Sequence, residues 1–276
     1  MVTIRHARHG DVRLEYRLHD RFLLWRPRLL LIQGVGFDAD AWEPVVARLR
    51  RRFRLVILNN RGTGDSDSPS GWYTVATMAG DVVAVLDAAR IRTTHVLGVS
   101  LGGMVAQELA VTHPHRVERL VLVSTTSGWP FTYPLPAATG RLLATAPVLE
   151  RETALRRQVT NLMSADSLAA RPHLTARMRE YLRTRTHHPR VVRRQMAAGA
   201  AYLGALRQRR IRADTLVLHG SADTVADPRN ARLLRSQIPG ARLVTFPGAG
   251  HLLFWEQPER FCEVVTDFLV AGSAVP

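Results

Sequence analysis

The sequence predicts an α/β fold, in which a mostly parallel central sheet is flanked by helices. Three observations favour this class. Short apolar runs of strand length alternate with amphipathic helical patterns near both ends of the 276-residue chain. Several of these runs are apolar throughout, as strands buried on both faces of a parallel sheet are. Between the two alternating parts lies a long stretch with helical patterns alone, so we expect one α/β domain with a helical insertion.

The first alternating part begins with a predicted β-hairpin. Residues 2–18 alternate loosely between apolar and polar side chains around a turn at His9-Gly10-Asp11, so we expect a hairpin at the edge of the sheet. The next predicted elements, in chain order, are a strand at 29–32, a helix capped by Asp38 or Asp40, a strand at 54–58 and an amphipathic helix at 74–90.

Ser100 stands between a strand-like run at 94–99 and a helical pattern at 101–111, with glycines at 98 and 102. A serine on such a tight strand-to-helix turn sits in strained backbone geometry, so its neighbours must lack side chains. The free N–H groups at the start of the helix would face an oxyanion formed there. This Gly-x-Ser-x-Gly pattern is typical of a nucleophile elbow. We predict that Ser100 is a nucleophile; a purely structural glycine turn is the alternative.

A glycine-containing loop at 33–37 leaves the predicted strand at 29–32. The charge that develops on a carbonyl oxygen during acyl transfer needs two preplaced hydrogen-bond donors. We assign these donors to the backbone N–H groups of Val35 and Leu101. The alternative, that the loop glycines only turn the chain, explains Gly36 equally well.

The pattern changes after a predicted strand at 117–124. Residues 127–210 carry short helical patterns broken at prolines and no clear strand, so we interpret them as an all-helical lid. The core domain is then formed by residues 1–126 and 211–276. The arginines of the lid favour a solvated helix face over recognition of an anionic substrate. Alternation resumes with strands at 215–218 and 241–246 and helices at 227–237 and 258–270.

Eleven histidines compete for the role of the base that activates Ser100. Catalytic groups in open parallel sheets gather at the carboxyl ends of the strands. His251 follows the last predicted strand and Asp223 follows the strand at 215–218, so we expect both at the same edge as Ser100. Structural roles suit the competitors: His95 and His219 lie within or at the ends of strand runs, and Asp227 precedes Pro228 where a helix begins.

With these residues in place, the chain resembles the α/β-hydrolase fold family. The order Ser100, Asp223, His251 along the chain is the order of that family. The matching stretches run from about residue 29 to 126 and from 214 to 270. This resemblance implies a serine hydrolase, similar to enol-lactonases and to the esterases and cyclases of bacterial secondary metabolism.

The sequence departs from the pattern of many relatives at two positions, where Gln33 replaces His and Asn59 replaces Asp. Neither change removes a triad residue. The leading hypothesis is therefore a hydrolase that cleaves a small, mostly apolar ester or lactone through an acyl-enzyme on Ser100. A lyase, cyclase or acyltransferase using the same triad, or a receptor without turnover, is an alternative. Phe37 and Trp129 are candidates for the substrate pocket and suit core positions equally well.

Composition narrows the expected partners. The net charge is +15, yet every one of the 38 basic residues is arginine and they are spread along the chain, which indicates genome composition rather than a nucleic-acid interface. One cysteine, Cys262, cannot form an internal disulfide, and no Cys/His cluster has the spacing of metal ligands. We expect a cytoplasmic enzyme with a small-molecule substrate, no cofactor, no metal, no nucleic-acid partner and no membrane partner. The oligomeric state stays open.

Overall fold

One mixed β-sheet organises the chain. The computed structural model describes residues 2–19, 25–145, 149–184 and 189–271. Within these ranges the sheet contains eight strands. In chain order they are β1 (Thr3–His9), β2 (Val12–His19), β3 (Arg28–Ile32), β4 (Arg54–Leu58), β5 (Thr94–Val99), β6 (Val117–Val123), β7 (Asp214–Gly220) and β8 (Arg242–Phe246).

The strands are arranged in the order β1-β2-β4-β3-β5-β6-β7-β8. The hairpin of β1 and β2 is antiparallel, and β2 also pairs antiparallel with β4. Every other pair, from β4 through β8, is parallel. The carboxyl ends of β3 to β8 therefore lie at one edge of the sheet. The predicted α/β class and the hairpin at the sheet edge are confirmed.

Helices connect the parallel strands, as right-handed crossovers require. Thr74 begins one of them with a capping box in which its side chain accepts from the Thr77 amide. Between β6 and β7, the described part of residues 127–210 contains helices and no strand, and we call residues 127–210 the helical insertion. The helices are α1 (Glu43–Leu49), α2 (Val75–Ala88), α3 (Leu101–Thr112), α4 (Ala137–Thr145), α5 (Arg151–Leu162), α6 (Ala165–Ala170), α7 (Pro172–Thr184), α8 (Pro189–Ala200), α9 (Arg229–Gln237), α10 (Leu253–Glu256) and α11 (Pro258–Ala271).

The helix predicted after Asp38 begins differently. Asp38 does cap a helical turn, because its Oδ1 accepts from the Asp40 amide, but that turn is a short 3-10 helix over Ala39–Trp42. The α-helix α1 follows directly, with Pro44 in its first turn. Proline lacks an N–H and has a helical φ, so it suits this position.

Two apolar clusters cover the two faces of the sheet. Successive residues of a strand point to opposite faces, so Leu29 and Leu31 join one cluster while Leu30 and Ile32 join the other. All four side chains are fully buried. Burial of each contributes about 2 kcal/mol relative to exposure. This explains why the predicted strands are apolar along their whole length.

The helical insertion packs onto the core. Val159, Leu174 and Met178 belong to the same cluster as the α1 and α11 side of the sheet. The insertion therefore packs against the face of the sheet that α1 and α11 cover. None of the helices in the described ranges combines the length and the apolarity needed to cross a bilayer.

Candidate active site

Ser100 occupies the tight turn between β5 and α3. Its backbone has φ 54° and ψ −118°, in the left-handed region of φ that side-chain-bearing residues rarely adopt. A Cβ at Gly98 would lie 2.2 Å from the Gly102 carbonyl oxygen, and a Cβ at Gly102 would lie 2.3 Å from the carbonyl oxygen of Ile32. Only glycine fits at either position. The sequence thus holds a strained serine at the start of a helix.

The loop after β3 lies against this serine. A Cβ at Gly34 would stand 3.0 Å from Cβ and 3.6 Å from Oγ of Ser100. The backbone N–H groups of Val35 and Leu101 donate to no other residue in the described part of the chain. Both candidate oxyanion donors are therefore unoccupied by any other described residue.

Two hydrogen bonds fix the position of the Ser100 peptide in the sheet edge. The Ser100 amide donates to the Val123 carbonyl at 2.9 Å, and Thr125 Oγ1 donates to the Ser100 carbonyl at 2.7 Å. Both partners belong to the neighbouring β6 or to the loop after it. The serine is consequently anchored on the side that faces β6 and β7.

Asp223 and His251 meet at the same edge. Asp223 follows β7, His251 follows β8, and His251 Nδ1 lies 2.9 Å from Asp223 Oδ2. The other oxygen of the carboxylate accepts from the amides of Val225 and Ala226, at 2.8 and 2.9 Å. Both side chains are buried. The pair has the geometry of an acid that orients a histidine.

A second imidazole contacts the acid. His219 Nε2 lies 3.1 Å from Asp223 Oδ2 and the same distance from the Ala226 carbonyl oxygen. Burial alone would raise the pKa of the Asp223 carboxyl, but the charge on His251 and hydrogen bonds from His219 and His251 outweigh burial and hold the pKa well below its usual range. The lowered pKa favours the ionised form of Asp223.

The segment after His251 crosses the sheet toward β3. Trp255 Nε1 donates to the Ala41 carbonyl at 2.9 Å, and the rings of Phe254 and Trp42 lie 4.9 Å apart between centroids. In the sheet order, β5 stands between β3 and β7, the strand that Asp223 follows. Residues 251–255 therefore connect the loop after β8 to the 3-10 helix that follows β3. No hydrogen bond joins Ser100 and His251 among the described residues.

The two pocket candidates occupy different environments. Phe37 is buried, and its ring stacks on Tyr181 of α7 at 5.6 Å between centroids with an angle of 7°. Trp129 is 56% exposed on the loop after β6, where its amide donates to the Tyr202 carbonyl. Phe37 belongs to the loop after β3 and contacts the helical insertion, whereas Trp129 lies at the surface.

The departure at Asn59 has a local explanation, whereas the one at Gln33 has no structural explanation. Asn59 Oδ1 accepts from the Ala39 amide at 2.6 Å, and its Nδ2 donates to Glu15 Oε2 at 2.5 Å. An aspartate at 59 would place two buried carboxylates together. Gln33 Oε1 accepts from the Gly34 amide at 3.3 Å, while its Nε2 is buried without a partner among the described residues.

Three buried residues that sequence reasoning did not single out for the site contact it. His219 touches the acid, Glu256 accepts from the Gly250 amide beside His251, and Gln195 accepts from the Gly36 amide. The signal available for the first of them is its place at the end of β7, directly before the loop that carries Asp223. Glu256 and Gln195 come from helices whose packing the sequence does not specify.

Cys262 does not compete with Ser100 as a nucleophile. Its side chain is buried in the core, as the sequence predicts, and burial raises the pKa of its thiol to about 12. A thiol must be deprotonated to react, so this cysteine is inert at neutral pH.

A match to a protein-family model identifies the family of this chain. A family model described as the alpha/beta hydrolase fold matches residues 27–258. The chain belongs to the α/β-hydrolase fold family. Its carboxyl edge is where members of this fold keep Ser, Asp/Glu and His in that chain order.

Individual relatives agree with this assignment. The enol-lactonase from Burkholderia xenovorans LB400 superposes with a TM-score of 0.84 at 27% identity, over 96% of this chain and 99% of that one. A hydrolase from Pseudomonas aeruginosa PA01 gives a TM-score of 0.83 at 32% identity, over 97% and 98%. The pimeloyl-[acyl-carrier protein] methyl ester esterase of Aeromonas hydrophila subsp. hydrophila is 28% identical over 88% of this chain and 95% of its own. The chain is a hydrolase of the α/β-hydrolase family.

Proposed function

We propose that this α/β-hydrolase cleaves small, mostly apolar esters or lactones through an acyl-enzyme on Ser100. The observation that carries the proposal is the buried Asp223–His251 pair at the same sheet edge as the strained Ser100. A carboxylate that fixes one imidazole nitrogen leaves the other free to take a proton from a serine. No metal ion or organic cofactor is needed for this chemistry.

Each of these groups would have a separate role in the reaction. His251 Nδ1 is bound to Asp223, so Nε2 faces away from the carboxylate and accepts the Ser100 hydroxyl proton. The serine oxygen then forms a bond to the carbonyl carbon, and the electron pair of the C=O bond moves to oxygen. The amides of Val35 and Leu101 stabilise that oxyanion.

Collapse of the tetrahedral intermediate breaks the bond between the acyl carbon and the alcohol oxygen, which takes the proton from His251; the alcohol of an ester then leaves, whereas that of a lactone stays attached to the acyl chain. Water then repeats the sequence on the acyl-enzyme, with His251 again as base, and releases the carboxylic acid. The serine–histidine hydrogen bond would form when substrate binds, because catalytic hydrogen bonds often shorten only in the substrate complex.

The expected substrate class rests on the surroundings of the loop after β3 and on the relatives. Phe37, Tyr181 and Trp255 form a row of aromatic rings, with centroids 5.6 and 6.1 Å apart, where that loop meets the helical insertion. An aromatic wall favours apolar acyl or alkyl groups. Among the relatives, one is named an enol-lactonase and another a methyl ester esterase, and both names describe cleavage of a carboxylic ester bond. We propose that the insertion acts as a lid over this site.

Turnover of p-nitrophenyl acetate and of an enol-lactone tests the proposal. Ser100→Ala removes the attacking oxygen, so kcat is expected to fall at least about 1,000-fold. Ser236→Ala, on the exposed face of α9, is the matched control and should keep wild-type kcat. p-Nitrophenyl acetate should give acetate and p-nitrophenol, and the enol-lactone should give a single keto acid. Undiminished turnover by Ser100→Ala would refute the proposal.

A further inference from the structure

One side chain of the helical insertion is hydrogen-bonded to the loop that carries the Val35 amide. Gln195 of α8 is completely buried, and its Oε1 accepts from the Gly36 amide at 2.8 Å. Its Nε2 donates to the Arg61 carbonyl at 3.1 Å. Because one partner is a donor and the other an acceptor, the amide group has a single favourable orientation.

We propose that Gln195 is a positioning residue that aims the Val35 N–H at the oxyanion. The inference rests on the serine-hydrolase function proposed above and adds a role for the helical insertion in it. Gln195 itself contacts no reacting atom in this account. It acts through the backbone of the loop at 33–37.

The hydrogen bonds of that loop show why the Gly36 contact matters. Both polar backbone groups of Gly34, the residue before Val35, are hydrogen-bonded. The Gly34 amide donates to Gln33 Oε1. The Gly34 carbonyl, which shares a peptide unit with the Val35 N–H, accepts from the Phe37 amide at 3.4 Å. The peptide unit after Val35 carries the Gly36 amide, which Gln195 holds. Val35 therefore has a fixed peptide on each side while its own N–H stays free. Preorganised donors of this kind stabilise an oxyanion without reorganisation during the reaction.

The same helix also contacts the second donor. A Cβ at Gly199 would lie 3.3 Å from Leu101 Cδ1, so α8 packs directly against the residue whose amide is the other oxyanion donor. Near the other end of α8, a Cβ at Gly62 would lie 2.5 Å from Val191 Cγ1. One helix thus contacts the loops after β3 and β4 and the first turn of α3. A displacement of α8 would alter both oxyanion donors together.

A purely structural role for Gln195 makes a different prediction. Loss of a buried amide that only satisfies backbone groups lowers stability and leaves the folded enzyme unchanged in kcat. Gln208 offers a matched control in the same insertion. It is also buried, and its Nε2 donates to Gln107 Oε1 at 2.6 Å and to the Ser127 carbonyl at 3.3 Å, away from the loop at 33–37.

The experiment compares Gln195→Met with Gln208→Met on p-nitrophenyl acetate. Methionine keeps the length of glutamine and removes its hydrogen bonds, so both variants should lose similar stability. Gln195→Met is expected to lower kcat about tenfold with KM within about twofold of wild type, because a misaimed donor weakens only the transition state. The inhibition constant of a trifluoromethyl ketone, which forms a tetrahedral oxyanion on the serine, should rise by the same factor. Gln208→Met should change neither quantity.

Equal kcat for the two methionine variants, in an enzyme whose turnover requires Ser100, would overturn the positioning role alone. Turnover that survives Ser100→Ala would instead overturn the proposed function, and the positioning role with it. If Gln195→Met does not fold, Gln195→Asn replaces it, since asparagine keeps the amide group but is one methylene shorter and cannot hold both Gly36 and Arg61 at their present distances. Its kcat should fall at least about threefold with KM unchanged; wild-type kcat would contradict the proposal.

Discussion

The environment of Glu15 explains the asparagine at position 59. Burial alone would raise the pKa of the Glu15 carboxyl, but hydrogen bonds from Arg17, the Asp65 amide and Asn59 outweigh burial and lower the pKa. Asn59 is one of those donors, at 2.5 Å from Glu15 Oε2. An amide at this position therefore stabilises a buried carboxylate that a second carboxylate would repel.

Asn59→Asp is predicted to destabilise the protein most at neutral pH. Two adjacent buried carboxylates repel, so the free energy of unfolding should fall by about 3 kcal/mol at pH 7. The pair binds a proton more tightly in the folded state than in the unfolded state, so the deficit should narrow as pH falls from 7 to 5. Urea unfolding at several pH values measures this difference from wild type.

Asn59→Leu is the control for the Asn59→Asp experiment. It removes the same hydrogen bonds and adds no carboxyl group, so its deficit should stay nearly constant between pH 7 and 5. In wild type, the lowered pKa of Glu15 means that its stabilising contribution is present above the unfolded pKa of about 4.3 and is lost only below it. A deficit of Asn59→Asp that does not depend on pH would show that the two carboxyl groups do not interact.

Single residues of the candidate site differ in how far the sequence could predict them. Ser100, Asp223 and His251 could be proposed because each follows an apolar strand, and parallel strands end at one edge. The structure places the acid against the histidine as expected. The sequence predicts a structural role for His219, because it lies at the end of a strand run. In the structure it contacts the acid, and periodicity does not reveal a contact between the end of β7 and the loop that follows it.

At the scale of elements, the helical insertion is fastened to the segment that carries His251. Ser164 begins α6, and its amide and hydroxyl both donate to Glu256 Oε2, at 3.2 and 2.7 Å. Glu256 Oε1 accepts from the Gly250 amide at 2.8 Å. The Leu252 amide also donates to the Leu162 carbonyl at 3.0 Å. The insertion and the histidine segment should therefore move as one unit.

Glu256→Gln tests this attachment. One carboxyl oxygen becomes an NH₂ group that faces the existing donors, so at least one buried hydrogen bond is lost, and the free energy of unfolding should fall by about 2 kcal/mol. Looser support for the histidine segment should also lower kcat several-fold. Urea unfolding and p-nitrophenyl acetate kinetics on the same preparation measure both effects.

Glu259→Gln is the matched control for Glu256→Gln, three residues further along the chain. Its side chain is 58% exposed and pairs with Arg48 at the surface, where an ion pair contributes less than about 1 kcal/mol. It should leave kcat unchanged. If the two glutamine variants behave alike, the Glu256 contacts do not hold the histidine segment.

Most of the strands and helices could be predicted from the sequence, because apolar residues repeat with a different spacing in strands than in helices. The strands at β3 and β4 and the helix α2 lie within about a residue or two of the predicted bounds. The sequence also predicts that residues 127–210 are helical. It cannot predict which of those helices contacts the loop after β3, since Gln195 directly follows two arginines, a context typical of a solvent-exposed helix face.

At the scale of the whole molecule, sheet order creates the candidate site. Ser100, Asp223 and His251 follow β5, β7 and β8, and the chain after His251 returns across the sheet to Ala41. The parallel arrangement of β3 to β8 thus brings residues more than 150 positions apart to one edge. The fold class and this edge follow from the sequence pattern. The return of the chain toward β3 depends on the packing of Phe254 and Trp42, which no local pattern encodes.

Covalent labelling is the most direct test of Ser100 as the nucleophile. A fluorophosphonate forms a stable adduct only with a serine that a neighbouring base activates. Intact-mass spectrometry should show one adduct per chain, located in the tryptic peptide of residues 93–116, in which Ser100 is the only serine. Ser100→Ala should show no adduct, and His251→Ala should react far more slowly. An adduct on another residue, or none in an enzyme that hydrolyses p-nitrophenyl acetate, would contradict the mechanism.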